Sequence, residues 1–399
     1  MRKSKYVVLL GDGMPDFLIP ERDNKTPLMM AKTPNLDFLA REGTAGSVSN
    51  TPEGYEPGSD VTNMEVLGFN VPQCYTGRAP LEAAAMGVNL ADGDIAFRCN
   101  LVSLRPVADG VLMEDFSAGH IETEDAAELI GALNKELGND KISFHPGVSY
   151  RHLMVWKGGD DKLKLTPPHD ISDQNIRGHL PQSDFLKQLM GEAQMVLKNH
   201  PVNKRRKKEG KKEANSVWFW GQGAAPTIPA FKDVHGLNGA VITAVDLMRG
   251  IATCGKMEVI DVPGATGWID TNYEGKAQAC LDALKRVDFV YLHVESPDEA
   301  GHAGSLDYKV QAIEDFDAKV VGPVVEGLKA MGDFRVMALS DHPTPLAIKT
   351  HTKDKVPFAI YPKLDGGGAE SFDEKILDSS PLTFERGIEL SKYFIEGKR

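Results

Sequence analysis

The chain has 399 residues, is 41% apolar and 26% charged, and carries a formal net charge of −12. These proportions belong to a globular protein with a large core, long enough for two or three domains. The acidic balance argues against general nucleic-acid binding, and no apolar run approaches the ~20 residues that span a bilayer. The run from Tyr6 to Leu10 is too short for the apolar part of a secretion signal and ends in Gly-Asp-Gly. Cys74, Cys99, Cys254 and Cys280 lie far apart with no CxxC pair, so reduced thiols, read as small buried hydrophobes, and a cytoplasmic location are expected.

In chain order, Lys5 to Leu10 reads as a short buried strand running into the Gly11-Asp12-Gly13 turn. Thr33-Pro34-Asn35-Leu36-Asp37 opens a helical pattern that stops at Gly43. Gly58-Ser59-Asp60 precedes a second helical pattern from Val61. The middle of the chain reads differently. Strands are expected at Ile95 to Arg105, Val148 to Trp156 and Ser216 to Trp220, and a helix at Glu122 to Leu137. The seven Lys and Arg residues in Lys204 to Lys212 read as a solvated surface turn. The first grammar then returns. Val287 to Val294 is a strand leading to Asp298, Lys309 to Leu328 a long helix, and Phe334 to Leu339 a strand ending in Ser340-Asp341-His342. This alternation predicts a doubly wound α/β core from residues 1–92 and 241–399, with an inserted α+β domain over 93–240.

In open α/β sheets chemistry gathers beyond the carboxyl ends of the strands. Asp12, Asp298, Asp341 and His342 each follow a predicted strand, which points to one shared site. Asp298 and His302 are spaced i, i+4, so both can meet one ion on a helical turn. With His351, the set offers three carboxylates and three imidazoles, enough for two divalent metal ions. Mixed carboxylate and imidazole donors suit Mn²⁺ or Zn²⁺, and suit Mg²⁺ less well. Ser59 at a helix start has two readings: a helix N-cap, or a phosphoryl acceptor activated by a metal and supported by helix amides.

These segments resemble those of the archaeal-type, cofactor-independent phosphoglycerate mutases of the alkaline phosphatase superfamily. The likeness rests on Gly11 to Asp16, Thr33 to Asp37, Gly58-Ser59-Asp60, Phe97 to Leu101, Tyr150 to Leu153, Pro168-His169-Asp170, Trp220 to Gly223, Pro263 to Gly267, Asp298 to His302 and Ser340 to His342. The resemblance implies an alkaline-phosphatase-like core with an inserted lid, and two ions. Asp12, Ser59, Asp341 and His342 would hold one ion, and Asp298, His302 and His351 the other. It also implies a phosphoserine at Ser59 and exchange of the phosphoryl group between two hydroxyls of a small phosphorylated hydroxy acid, 2- or 3-phosphoglycerate. In the lid, Arg98 and Arg151 are candidates for the substrate carboxylate, and Asn63 and Asn100 for substrate oxygens. His152, His169 and Asp170 are candidates for acid–base work, and Lys276 for a phosphate.

Some bacterial members of the same family have been proposed as homoserine kinases, and the same Ser and metals would serve that reaction. Asp170 and Asp173 leave room for the ammonium of homoserine. The absence of GxxxxGK[ST] disfavours a P-loop kinase. A phosphatase or phosphodiesterase would need a site open to water, against which the large insertion argues. A non-catalytic binding protein would have to keep both ligand sets without using them.

Overall fold

A strand buried on both faces needs apolar residues at every position, and Lys5–Gly11 supplies them from Val7 onward. In the computed structural model, which describes residues 4–398, this strand lies inside an eight-stranded sheet. Its neighbours are Phe289–Val294 and Phe334–Leu339, both parallel to it. Gly239–Ile242 and Glu258–Ile260 extend the parallel run on one side, whereas Val356–Tyr361 and Thr44–Val48 pair antiparallel on the other. Alternate residues serve opposite faces. Val7, Leu9, Val290, Leu292, Val336 and Ala338 pack with Leu36, Phe316, Val320 and Val324 of the helices on one side. On the other, Phe289 meets Phe231 and Tyr6 meets Phe394. No helix among the described residues is long and apolar enough to cross a membrane.

The chain divides into two compact units. One comprises the described residues of Met1–Tyr75 and Ile228–Arg399, and the other is Thr76–Thr227. The divisions therefore fall earlier than residues 93 and 241. The helix Arg78–Ala85 buries Ala79 and Ala83 against Ala96 and Leu153 of the second unit's own sheet, and so travels with it.

In that unit Asp94–Val107 is the spine. It pairs antiparallel with Gly110–Asp115, Arg151–Lys157 and Ser216–Ala224, and Ile142–His145 joins Arg151–Lys157. Ile95, Phe97, Cys99 and Leu101 face the helices Thr123–Leu137 and Asp184–Lys198. The alternate residues Ala96, Arg98 and Asn100 face the other way.

Three sequence expectations need correction. The strand expected from Val148 begins only at Arg151, because Ser149 has a left-handed backbone (φ 53°) that a strand cannot contain. The long helix expected over Lys309 to Leu328 is two helices, Leu306–Phe316 and Gly322–Met331, joined by a π-turn at Asp317–Val321. The Asp317 carboxylate accepts the Asn35 and Leu36 N–H groups at 3.3 and 2.7 Å, so a distant side chain caps the helix Pro34–Glu42. The basic run is not a solvated turn. Its first half lies in the helix Pro201–Lys208, and Arg206 is buried, pairing with Glu122 and Asp125 and donating to the Ala118 and Lys212 carbonyls.

Candidate active site

The register of the three central strands brings Leu10 level with His293 and Leu339, so the residues that follow converge at one sheet edge. Asp12, Ser340, Asp341 and His342 are all buried there. The turn after Lys5–Gly11 has to be glycine at position 13, where φ is +62° and a Cβ would stand 2.5 Å from Thr344 Oγ1. Ser340 ties the turn down, since its hydroxyl donates to the Gly11 carbonyl and accepts the Met14 N–H. A buried ammonium fastens the adjoining loops. Lys309 Nζ donates to Asp16 Oδ2 and the Thr344 carbonyl, both at 2.8 Å, and to the Pro15 carbonyl at 3.3 Å.

Ser59 opens the helix Ser59–Val66, whose N-cap is Gly58. The N-cap reading of Ser59 is thus wrong, and its hydroxyl is not spent on the helix. Ser59 Oγ lies 3.2 Å from His342 Nε2. The tautomer of His342 follows from its neighbours. Thr344 Oγ1 donates its proton to Asp298 Oδ1, leaving only a lone pair for His342 Nδ1 at 3.3 Å. Nδ1 therefore carries the ring proton, and Nε2 presents a lone pair toward Ser59 Oγ, Asp12 Oδ1 at 3.5 Å and Asp341 Oδ2 at 3.2 Å.

The second half of the cluster stands on the helix Ser296–Ala303, which places Asp298 and His302 on one face. His302 Nε2 is 3.2 Å from Asp298 Oδ2, and His351 Nε2 is 3.4 Å from Asp298 Oδ1. The two imidazole Nε2 atoms are 3.0 Å apart, and His342 stacks on His351 with ring centroids 3.9 Å apart. His302 Nδ1–H donates to the Lys349 carbonyl, which directs Nε2 inward.

The electrostatics call for a cation. Burial raises Asp12 well above the usual carboxylate range, and Asp341, Glu295 and Asp298 push it further. Glu295 is pushed up to about 8 by burial and then by Asp298. Burial would also raise Asp298, yet hydrogen bonds from His302 and His351 outweigh it and hold that carboxyl well below its ordinary value. Among the described residues Asp12 Oδ1 is buried with no hydrogen-bond partner. An orphaned carboxylate oxygen, the His342 lone pair and two imidazoles that an arriving ion would deprotonate fit divalent ions. Among the described residues, Asp12, Asp341 and His342, and Asp298, His342 and His351, are spaced to hold one.

The other candidates fall out differently. Asn63 is buried and committed: its amide donates to the Ser59 carbonyl and Asp341 Oδ2, and its Oδ1 accepts from Tyr291. It steadies Asp341 and has no donor left for substrate. Lys276 is fully buried beneath the cluster and donates to the His293 carbonyl at 3.2 Å; burial brings it down to about 8. That placement does not suit a phosphate ligand. Asn100 accepts the Trp220 indole N–H at 3.0 Å and donates to the Phe116 carbonyl, so it holds Trp220 rather than standing free.

Within the second unit, Arg98 lies 4.2 Å from the Trp220 ring centroid and pairs with Glu82 at 2.9 Å. It is almost wholly buried, whereas Arg151 is exposed and rests over Tyr150. His169 sets its edge against Trp220 and Phe116, and Asp170 lies 3.6 Å away, both half-exposed on the turn Pro168–Ile171. Tyr150, from a segment already singled out, and Phe116, His120 and Arg78, which escaped sequence reasoning, complete this aromatic and cationic patch.

His152 is buried. Its Nδ1 accepts the Gly147 N–H, and burial lowers its pKa to about 3. A ring that stays neutral in this way is unsuited to proton exchange near neutral pH. It has a stability consequence, because the unfolded ring takes up a proton below about pH 6.5 and the folded one does not. Stability falls as pH drops from that value toward 3. Urea unfolding at pH 7 and pH 5 is expected to show the loss, and His152→Phe to shrink the difference by about 1–2 kcal/mol. An unchanged difference refutes the assignment.

The fold and site together define a class: α/β proteins that gather carboxylates, imidazoles and a seryl hydroxyl at the carboxyl edge of a largely parallel sheet. A family model for 2,3-bisphosphoglycerate-independent phosphoglycerate mutase matches residues 40–203. A relative from Geobacter sulfurreducens, described as a probable 2,3-bisphosphoglycerate-independent phosphoglycerate mutase, is 51% identical over 98% of this chain and 100% of its own length. The 2,3-bisphosphoglycerate-independent phosphoglycerate mutase of Methanosarcina barkeri is 47% identical over 99% of this chain and 100% of its own. Among solved structures, a Pyrococcus horikoshii protein superposes with a TM-score of 0.82 at 26% identity, covering 100% of this chain and 99% of that one. The cofactor-independent phosphoglycerate mutase of Thermoplasma acidophilum superposes at 0.64 with 27% identity, covering 99% of both. The chain belongs to the 2,3-bisphosphoglycerate-independent phosphoglycerate mutase family.

Proposed function

We propose that the chain is a cytoplasmic enzyme that interconverts 2-phosphoglycerate and 3-phosphoglycerate without 2,3-bisphosphoglycerate, through a phosphoserine at Ser59. The observation that carries this reading is the Ser59 hydroxyl, free of helix capping and 3.2 Å from a His342 Nε2 lone pair, at the edge of the Asp12, Asp341 and Asp298 cluster. Asp12, Ser59, Asp341 and His342 would hold one divalent ion, and Asp298, His302 and His351 a second. Mn²⁺ or Zn²⁺ matches these donors better than Mg²⁺. Bound ions would lower the hydroxyl pKa of Ser59 and neutralise charge on the transferring phosphoryl oxygens. The amides that open the helix Ser59–Val66 add fixed positive potential for the phosphoryl group.

In this reading the unit Thr76–Thr227 acts as the lid. Arg151, the exposed guanidinium, takes the substrate carboxylate, and the buried Arg98 holds Trp220 in place beside His169. His169, with Asp170 beside it, is the group suited to pass a proton between the two hydroxyls.

The test is an assay of the Mn²⁺-loaded protein with 3-phosphoglycerate and no 2,3-bisphosphoglycerate, run in parallel with homoserine and ATP. Turnover to 2-phosphoglycerate is expected. Homoserine phosphorylation without mutase turnover overturns the proposed substrate and keeps Ser59 as the acceptor.

A further inference from the structure

Among the described residues Asp12 Oδ1, like Glu295 Oε2, is buried without a hydrogen-bond partner, and the structure shows what restrains the other oxygen of Asp12. His293 Nε2 lies 2.8 Å from Asp12 Oδ2. With a cation on Oδ1 the carboxylate is ionised and only accepts, so Nε2 is then the protonated nitrogen. Nδ1 of the neutral ring is then an acceptor, and its partner at 3.1 Å is the Thr243 hydroxyl. Thr243 Oγ1 in turn accepts the Val245 N–H at 3.0 Å. The result is a chain of three bonds with one direction, from main chain to Thr243 to His293 to Asp12. Thr243 and His293 are both buried, so no water competes for these bonds. Tyr291, two residues earlier on the same strand face, runs a parallel chain through Asn63 to Asp341.

We infer that His293 is a positioning residue for Asp12: it binds Oδ2, fixes the carboxylate plane, and leaves Oδ1 as the atom presented to a cation. The inference rests on the reading that Asp12 holds a divalent ion. His293 and Glu295, with Asp12, are also close enough to form a further ligand group, with Glu295 Oε2 3.5 Å from His293 Nε2. A ligand role is disfavoured because the Nε2 lone pair is replaced by the proton given to Asp12. A resident cation is already at hand as well, since the buried Lys276 ammonium donates to the His293 carbonyl and interacts electrostatically with Glu295.

The experiment counts Mn²⁺ on the metal-stripped full chain at pH 7.5, by electron paramagnetic resonance of free Mn²⁺ and by calorimetry. Wild type is expected to take up two ions. His293→Leu is expected to weaken one of them by about 10–100-fold and leave the other unchanged. His293→Gln, whose amide can donate to Asp12, is expected to recover most of the affinity. Thr243→Val nearly preserves shape and removes only the hydroxyl that sets the tautomer. It is expected to weaken the same ion to a smaller extent, and it decides the matter should His293→Leu fail to fold. In steady-state assays kcat falls while KM for the phosphorylated substrate holds. Two ions bound with wild-type affinity by both His293→Leu and Thr243→Val overturn the inference alone. A third wild-type ion lost in His293→Leu overturns it by making His293 a ligand. No ion bound by the wild type overturns the metal reading itself.

Discussion

Ser59→Ala is expected to abolish phosphoryl transfer, lowering turnover on the order of 10⁴-fold or more, as losing a nucleophile does when a general framework is left intact. The substitution is mild for the fold. Ser59 is the first residue of its helix, Gly58 provides the N-cap, and among the described residues the hydroxyl's hydrogen-bond partner is His342 Nε2. Alanine is also a better helix former than serine. Far-ultraviolet circular dichroism and the unfolding midpoint should therefore match wild type. Mn²⁺ should still bind through Asp12, Asp341 and His342, with reduced affinity for that ion only. Incubation with 3-phosphoglycerate followed by intact-protein mass spectrometry should show a phosphorylated wild-type species that the variant lacks. Substantial turnover by Ser59→Ala sinks the phosphoserine route.

Asp298→Asn should be the second most damaging change. Asp298 is buried and its two oxygens divide the work: Oδ1 accepts from Thr344 and faces His351, and Oδ2 faces His302. An amide keeps the shape and the Thr344 bond, yet removes the charge and one acceptor. Without metal, burial lowers the His302 pKa, but Asp298 more than compensates and lifts it to about 9. Wild-type His302 is thus a cation at pH 7 and has to lose a proton before it can ligate. Calorimetry in buffers of different ionisation heat should register that release, of about one proton. In Asp298→Asn the largest lift is gone while burial remains, with only the Lys349 carbonyl and Glu299 still favouring the charged ring, so the proton release should shrink. One ion of the two should be lost, together with about 10³-fold or more in turnover. Retention of both ions at wild-type affinity contradicts the assignment of Asp298.

Much of this site was legible because its residues follow strands. Asp12, Asp298, Asp341 and His342 stand at the carboxyl edge where the strand-and-turn pattern of the sequence put them, and the i, i+4 spacing of Asp298 and His302 survives as one helix face. What stayed hidden depends on contacts across long sequence distances. Nothing local in Asn63 or Asn100 says whether an amide points at substrate or braces a neighbour, and both turned out to be braces. Lys276 reads as a candidate for a phosphate, yet its helix turns that face into the core. One signal was available: a histidine in the middle of an apolar strand, as in Tyr291-Leu292-His293-Val294, has to find partners for both ring nitrogens. The long helix was misread for the reverse reason. Its apolar rhythm runs through the π-turn without a glycine or proline until Gly322-Pro323, so periodicity alone cannot mark the extra residue.

The placement of the first strand carries a consequence for how the chain is made. Tyr6 is flanked by Phe289 and Arg335, so Lys5–Gly11 waits through most of synthesis before either neighbour exists. The antiparallel sheet of Thr76–Thr227 is drawn entirely from its own stretch of chain, so it can close while the ribosome is still translating the rest. Nascent chains halted short of Phe289 leave an apolar strand with two unpaired edges, a template for association between chains. The cluster at the sheet edge is therefore assembled late, and its histidines and carboxylates can meet metal only once the chain has emerged as far as His351.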